Sequence, residues 1–219
     1  MSLRPGVVFD IDGTLVDTNY LHIDAWRRAF LEHGIAVTSA DVHRHIGMGS
    51  SLFLERLVGG PRDDVKEAWR RHFDRLKPEI RPLPGAVELV RAVAASGAAA
   101  VLASSSEQDD VQALLDALGV EDVLDGVTSA GDVEEAKPEP EVFQVAMAKA
   151  GLDRERTVVV GDTVWDVEAA ERAGLPCVCV RTGGIGGAEL EAAGAIAVYD
   201  SAATLLRDIR SSPLARVLG

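Results

Sequence analysis

Only two cysteines occur in the 219 residues, Cys177 and Cys179. They lie two apart in an apolar, strand-like run ending at Thr182. No loop separates them that would allow a sound disulfide, and two sulfurs are too few for a structural zinc site. Buried free thiols in a reducing compartment are expected. Long apolar runs are missing too. Nothing approaches the roughly 18 residues of a membrane span, and no signal-peptide-like stretch opens the chain. A cytoplasmic protein without membrane contact is the expectation. Positive charge is scarce, with 22 Lys and Arg against 35 Asp and Glu and a net charge of −13. That balance argues against nucleic acid as a partner. Internal repeats, heptads and low-complexity tracts are absent as well.

What is present is ordinary globular composition, 47% apolar and 26% charged. The charge is unevenly spread. Residues 18–82 hold 11 Lys and Arg against 9 Asp and Glu, and the remainder holds 11 against 26. A near-neutral insert inside an acidic body suggests two modules.

The run Gly6-Val-Val-Phe9 reads as a buried strand that ends in Asp10-Ile-Asp12-Gly-Thr14. From Tyr20 to His33 the apolar spacing turns helical, with Gly34 as a stop. Helical segments continue to about Leu76, and then Pro78, Pro82, Pro84 and Gly85 mark a boundary. Beyond it, helices over 86–96, 109–118, 139–150, 165–173 and 201–209 alternate with strands over 98–103, 126–129, 157–160, 177–181 and 195–199. The fold class predicted is α/β: a Rossmann-like parallel sheet core with helices on both faces. Residues 1–17 and 83–219 form that core, and 18–82 form a small all-helical domain inserted after the first strand. The glycine-rich Thr182–Gly187 lacks the pattern of a phosphate-binding loop and reads as a plain loop.

Ligand sites in open α/β sheets lie beyond the carboxyl ends of the strands. There the first strand delivers Asp10 and Asp12, the second Ser104, Ser105 and Ser106, and the fourth Asp162 with Asp166 four residues on. Lys137 precedes the helix at 139. Carboxylates so placed repel one another unless a hard cation such as Mg²⁺ joins them. A carboxylate beside such an ion stays ionised and nucleophilic. Lysine and serine can hold a phosphoryl group. Each motif alone is compatible with a turn or a helix cap. Together, and in this order, they specify a phosphoryl-transfer site without a P-loop.

Asp10-Ile-Asp12-Gly-Thr14-Leu-Val-Asp17, then Ser104, then Lys137-Pro138, then Gly161-Asp162-Thr-Val-Trp-Asp166 resemble the four ordered motifs of the haloacid dehalogenase-like superfamily. The likeness is strongest to its phosphoglycolate phosphatase and β-phosphoglucomutase-like members. The resemblance implies that Asp10 is the nucleophile forming an aspartyl-phosphate and that Asp12 is the general acid and base. It implies that Ser104 and Lys137 hold the phosphoryl oxygens. Mg²⁺ would be bound by Asp10, Asp162 and the backbone carbonyl of Asp12, with Asp166 orienting a metal-bound water or Lys137. The helical insert stands where the family carries its cap, so its substrate would be a small phosphorylated metabolite.

Thr18, His22 and Trp26 open that cap, with His22 and Trp26 sharing one helix face. The stretch around them resembles the β-phosphoglucomutase group. Gly47 lies in a second cap segment, where the family's loop dips towards substrate. The mutases carry there an arginine for a distal phosphate, and this chain has Ser50, Ser51 and Leu52. A phosphatase is therefore expected ahead of a mutase, with a non-catalytic phospho-ligand binder as the third reading. The second aspartate of motif one, Asp12, sets the chain apart from the family's dehalogenases and phosphonate hydrolases. The acidic 132–135 stretch reads as a solvated face that could also keep other anions from the cleft.

Overall fold

The computed structural model describes residues 3–218. Strand β1 (Arg4–Phe9) is followed by four helices: α1 (Asn19–Glu32), α2 (Ser39–His45), α3 (Ser50–Val58) and α4 (Asp63–Leu76). Then come α5 (Ala86–Ala95), β2 (Ala99–Ala103), α6 (Gln108–Leu118), β3 (Gly126–Thr128), α7 (Glu141–Ala150) and β4 (Leu152–Gly161). The chain closes with α8 (Val164–Arg172), β5 (Cys177–Val180), α9 (Gly187–Ala193), β6 (Ala197–Tyr199) and α10 (Ala202–Arg207). The six strands form one parallel sheet in the order β3-β2-β1-β4-β5-β6. This is the α/β architecture read from the sequence.

Apolar side chains two apart divide between the two faces of the sheet. Val7, Phe9, Leu102, Val158, Val160, Val178 and Val180 join one core cluster. Val8, Val101, Ala103, Val159, Cys177 and Cys179 join the other. The cysteines are free and buried, as expected.

The helical segment is built around aromatics rather than aliphatics. Ile23, Trp26, Ala29 and Phe30 recur at helical spacing on α1, and Val65, Ala68, Trp69 and Phe73 do so on α4. Trp26 stacks on Trp69 at 4.9 Å and lies 4.5 Å from Phe53, so one side chain ties three helices. Gly34, at φ +68°, ends α1 in a conformation that glycine adopts without strain. The two connections to the sheet pair with each other. Val16 bridges Pro82, Asp17 N–H donates to Arg81 at 2.9 Å, and Leu83 N–H donates to Leu15 at 2.8 Å.

Two expectations are corrected. The strand expected over 157–160 begins at Leu152, because Leu152 pairs with Arg4 ahead of a register irregularity. Its polar residues 153–156 carry no alternation from which a strand could be read. The Thr182–Gly187 segment is not a plain loop. Arg181–Gly183 make a 3-10 turn and Gly187 opens α9. That helix buries only Leu190, so its apolar periodicity is too weak to see.

Candidate active site

The order of the sheet explains the site. β1 and β4 are neighbours at the point where the strand order reverses, and Phe9 registers with Val160. Asp10 N–H continues the ladder to Val160 O at 2.9 Å. The residues just past the two strand ends, Asp10 and Asp162, therefore meet in the crevice where such folds bind ligands.

Asp10, Asp162 and Asp166 present carboxylate oxygens within 4.8 Å of one another, and all three are buried. Lys137, fully buried, contacts Asp10 and lies 2.7 Å from Asp166. Thr14 Oγ1 sits between Asp10 Oδ2 (3.1 Å) and Asp162 Oδ1 (2.8 Å). Asp166 also closes a capping box on α8, where its Oδ2 accepts from Thr163 N–H (3.0 Å) and Thr163 Oγ1 (2.7 Å). A helix cap therefore fixes the carboxylate that faces Lys137.

The electrostatics of this group are unbalanced. Burial lifts the Asp10 carboxyl to about 7; Lys137 opposes the rise, and Asp166 and Asp12 add to it. Burial, reinforced by Asp166 and Asp10, holds Asp162 well above the usual carboxylate range. Burial disfavours the Lys137 ammonium, but Asp10 and Asp166 outweigh it and raise its pKa. One ammonium is thus set against three buried carboxylates. An oxygen-liganded divalent cation fits this donor set, because it supplies the missing charge and its ligands are already gathered.

Asp12 is placed differently. Its side chain turns from that cluster, and four donors surround it. Thr18 Oγ1 (2.6 Å) and His22 Nε2 (3.2 Å) reach Oδ1, and Ser106 Oγ (2.9 Å) and Ser104 Oγ (3.3 Å) reach Oδ2. Burial pushes this carboxyl up, but His22, Thr18 and Ser106 outweigh it and hold it at about 2. His22 in turn is stacked on Phe73 at 4.1 Å.

A cavity is lined by Asp10 and Asp12 on one side and by the helical segment on the other, where Trp26, Phe53 and Trp69 form its apolar wall. Gly47, Ser105 and Ser106 line it as well. Gly47 lies at φ +96°, where a Cβ would press on Thr163. The 46–50 segment thus rests on the α8 end of the core. Trp26 serves both the aromatic core and the cavity wall.

Several site residues carry no readable signal in the sequence. Lys66 and Glu107 line the cavity, beside His45 of the Gly47 segment that the sequence did single out. Thr182 Oγ1 donates to Gly13 O at 2.6 Å, and a Cβ on Gly183 would collide with Asp162. Asn19 Nδ2 donates to Asp162 Oδ2 at 2.9 Å. Polar residues at helix starts and in glycine-rich loops are common, and only the fold shows what these face.

Buried carboxylates and a lysine at the switch point of a parallel sheet define a hydrolytic site of the phosphoryl-transfer kind. The model of the haloacid dehalogenase-like hydrolase family matches residues 5–174. The chain belongs to that family, as an enzyme of the phosphatase type. It is 30% identical over 213 residues to a phosphoglycolate phosphatase of Rhodospirillum rubrum, covering 91% of this chain and 88% of the relative. Among solved structures it is similar to a hydrolase from Pseudomonas syringae, with TM-score 0.90, 31% identity, and 95% and 99% of the two chains covered. It is also similar to CbbY from Rhodobacter sphaeroides, solved in complex with phosphate, with TM-score 0.76, 25% identity, and 93% and 96% covered.

Proposed function

We propose that the chain is a Mg²⁺-dependent phosphatase that hydrolyses a small phosphorylated metabolite through an aspartyl-phosphate on Asp10. The observation that carries this reading is the buried Asp10–Asp162–Asp166 group around Lys137, beside a cavity lined by Asp10 and Asp12. Asp10 and Asp162 would hold the cation, which would neutralise the phosphoryl group and keep Asp10 ionised. Asp10 attacks phosphorus, and the bond to the leaving oxygen breaks as that oxygen takes a proton from Asp12. Water then attacks the aspartyl-phosphate, Asp12 takes its proton, and Asp10 is regenerated. Lys137 and Ser104 hold the phosphoryl oxygens.

Asp12 as it stands, held at about 2 by its donors, is in the form that accepts a proton from water. Its largest single influence is burial, which favours the protonated form. Withdrawal of Thr18 and His22 would remove two of the donors that favour its ionised form. Both residues lie at the start of the helical segment. This supports residues 18–82 as a cap whose movement switches Asp12 between its two tasks, over a core of 1–17 and 83–219.

The phosphatase reading is favoured over a mutase by charge. Among the described residues lining the cavity, Lys66 is the only lysine or arginine, and Glu107 pairs with it at 3.2 Å. A second phosphate would find no free cation there. The phosphoglycolate phosphatase relative makes phosphorylated short acids a natural part of the substrate panel. Among the described residues no helix is long and apolar enough to cross a membrane. The free thiols fit a reducing, cytoplasmic setting. The test is turnover of aryl phosphate and a panel of phosphorylated metabolites with Mg²⁺ and with excess chelator. Metal-dependent release of phosphate is expected; full turnover in chelator would overturn the mechanism.

A further inference from the structure

We propose that Asn19, the first residue of α1, is a positioning residue that sets the cation affinity of the Asp162 carboxylate. The inference rests on the metal reading above and concerns a residue outside the four motifs. Asn19 is 2% exposed, and its Nδ2 donates to Asp162 Oδ2 at 2.9 Å. Thr14 Oγ1 holds the other oxygen, Oδ1, at 2.8 Å. Both Asp162 oxygens are therefore aimed by neutral donors, which stabilise the charged form without consuming the charge a cation needs. An ionised carboxylate only accepts, so the amide must turn Nδ2 towards it.

That orientation has a consequence. Asn19 Oδ1 is left buried and without a hydrogen-bond partner. Buried acceptors are rarely left unpaired, and an orphan at a candidate metal centre points to a missing donor. A water on a bound cation would supply such a donor, since Mg²⁺ characteristically keeps several waters. The backbone around the amide leaves it little freedom to turn elsewhere. A Cβ on Gly13 would run into the amide and Asp162, and one on Gly183 would run into Asp162 and crowd the amide nitrogen. The two glycines form a cradle shaped for this amide–carboxylate pair.

Asn19 also belongs to the helical segment, while Asp162 ends a strand of the sheet. Its neighbour Thr18 and, one turn on, His22 hold Asp12. A single turn of α1 thus grips both the cation's carboxylate and the proton-transfer carboxylate. Displacement of α1 would loosen Asp162 together with Asp12, coupling the position of the helical segment to cation affinity.

The experiment measures Mn²⁺ affinity directly, by titration calorimetry or by the loss of free-ion electron paramagnetic resonance signal, without substrate. Asn19→Leu keeps the shape of the side chain and removes both polar groups. Asn19→Ala serves if the leucine variant folds poorly, with circular dichroism checking both. Affinity is expected to fall about 10- to 100-fold, the usual loss on removing a group that orients a metal ligand. Leu21→Ala loosens the same first turn without touching the site, and should lower the melting temperature but leave Mn²⁺ affinity unchanged. Wild-type affinity in a folded Asn19→Leu protein would overturn this inference alone. An equal loss of affinity in Leu21→Ala would also overturn it, by reducing the effect to helix stability. No Mn²⁺ binding by the unmodified chain would overturn the metal reading with it.

Discussion

The carboxyl edge of the sheet and the four-helix segment above it are held together by opposite means. At the sheet edge three carboxylates, a lysine and the hydroxyls of Thr14, Ser104 and Thr163 are buried, and carboxyl groups there are pushed far from their ordinary ionisation. Such a group costs stability unless a ligand completes it. In the helical segment Trp26, Phe53, Trp69 and Phe73 pack ring against ring, and burying such groups is worth roughly 1.5–3 kcal/mol each. The difference teaches where each kind of substitution should register. Changes at the sheet edge should register in chemistry and changes among the aromatics in stability, with the cavity between them reporting both.

Asp10→Asn should break the sheet-edge half of the comparison most severely. At least about a 10⁴-fold loss of turnover is expected, with no phospho-enzyme seen by intact mass spectrometry. Asp12→Asn should cost roughly 10²–10⁴ in rate while leaving the phospho-enzyme able to accumulate. A phospho-enzyme in Asp10→Asn would mean that the nucleophile is another residue.

Trp26→Ala addresses the other half. Removing a nearly buried tryptophan that contacts Phe30, Phe53 and Trp69 should destabilise by about 3–5 kcal/mol, read from denaturant unfolding. A loss under about 1 kcal/mol would show that the aromatic cluster is not what holds these helices.

A pH series sharpens the contrast without mutation. Asp10 is raised to about 7 from its ordinary value of 3.8, so the metal-free fold holds a proton that the unfolded chain releases. The contribution of Asp10 is then present below pH 4 and lost as pH rises through about 7. Metal-free melting temperature should accordingly decline between pH 5 and 8, and added Mg²⁺ should recover more of it at pH 8 than at pH 5. Mg²⁺ binding at pH 6 should also release protons, detectable as a buffer-dependent calorimetric enthalpy. A binding enthalpy independent of buffer would contradict this account of the site.

The smallest effect belongs to the boundary between the regions. Lys66 and Glu107 are one-third or more exposed, so breaking their ion pair should move stability by less than about 1 kcal/mol. Lys66→Ala should nevertheless change relative kcat/KM among phosphorylated metabolites more than it changes aryl phosphate hydrolysis, because only larger leaving groups reach the helical wall. Equal changes on all substrates would remove Lys66 from recognition.

Apolar runs, their punctuation and the polar residues after them were enough to place the six-stranded sheet and to mark Asp10, Asp12, Ser104, Lys137, Asp162 and Asp166. The reason is local. A buried strand must be continuously apolar, so the first charged residue after it stands at the sheet edge whatever the rest of the chain does. His22 and Trp26 were legible as one helix face of the cap, with His22 able to reach the site, but the Asp12 contact of His22 and the apolar wall that includes Trp26 were not. Asn19, Thr182, Gly183, Lys66 and Glu107 were not legible at all, nor was α9. Asn19 meets Asp162 across 143 residues, and Thr182 meets Gly13 across 169. Those meetings depend on β1 and β4 lying side by side and on the helices folding back over their ends. No local spacing encodes such an encounter, because it arises only when distant segments bury their apolar faces against one another.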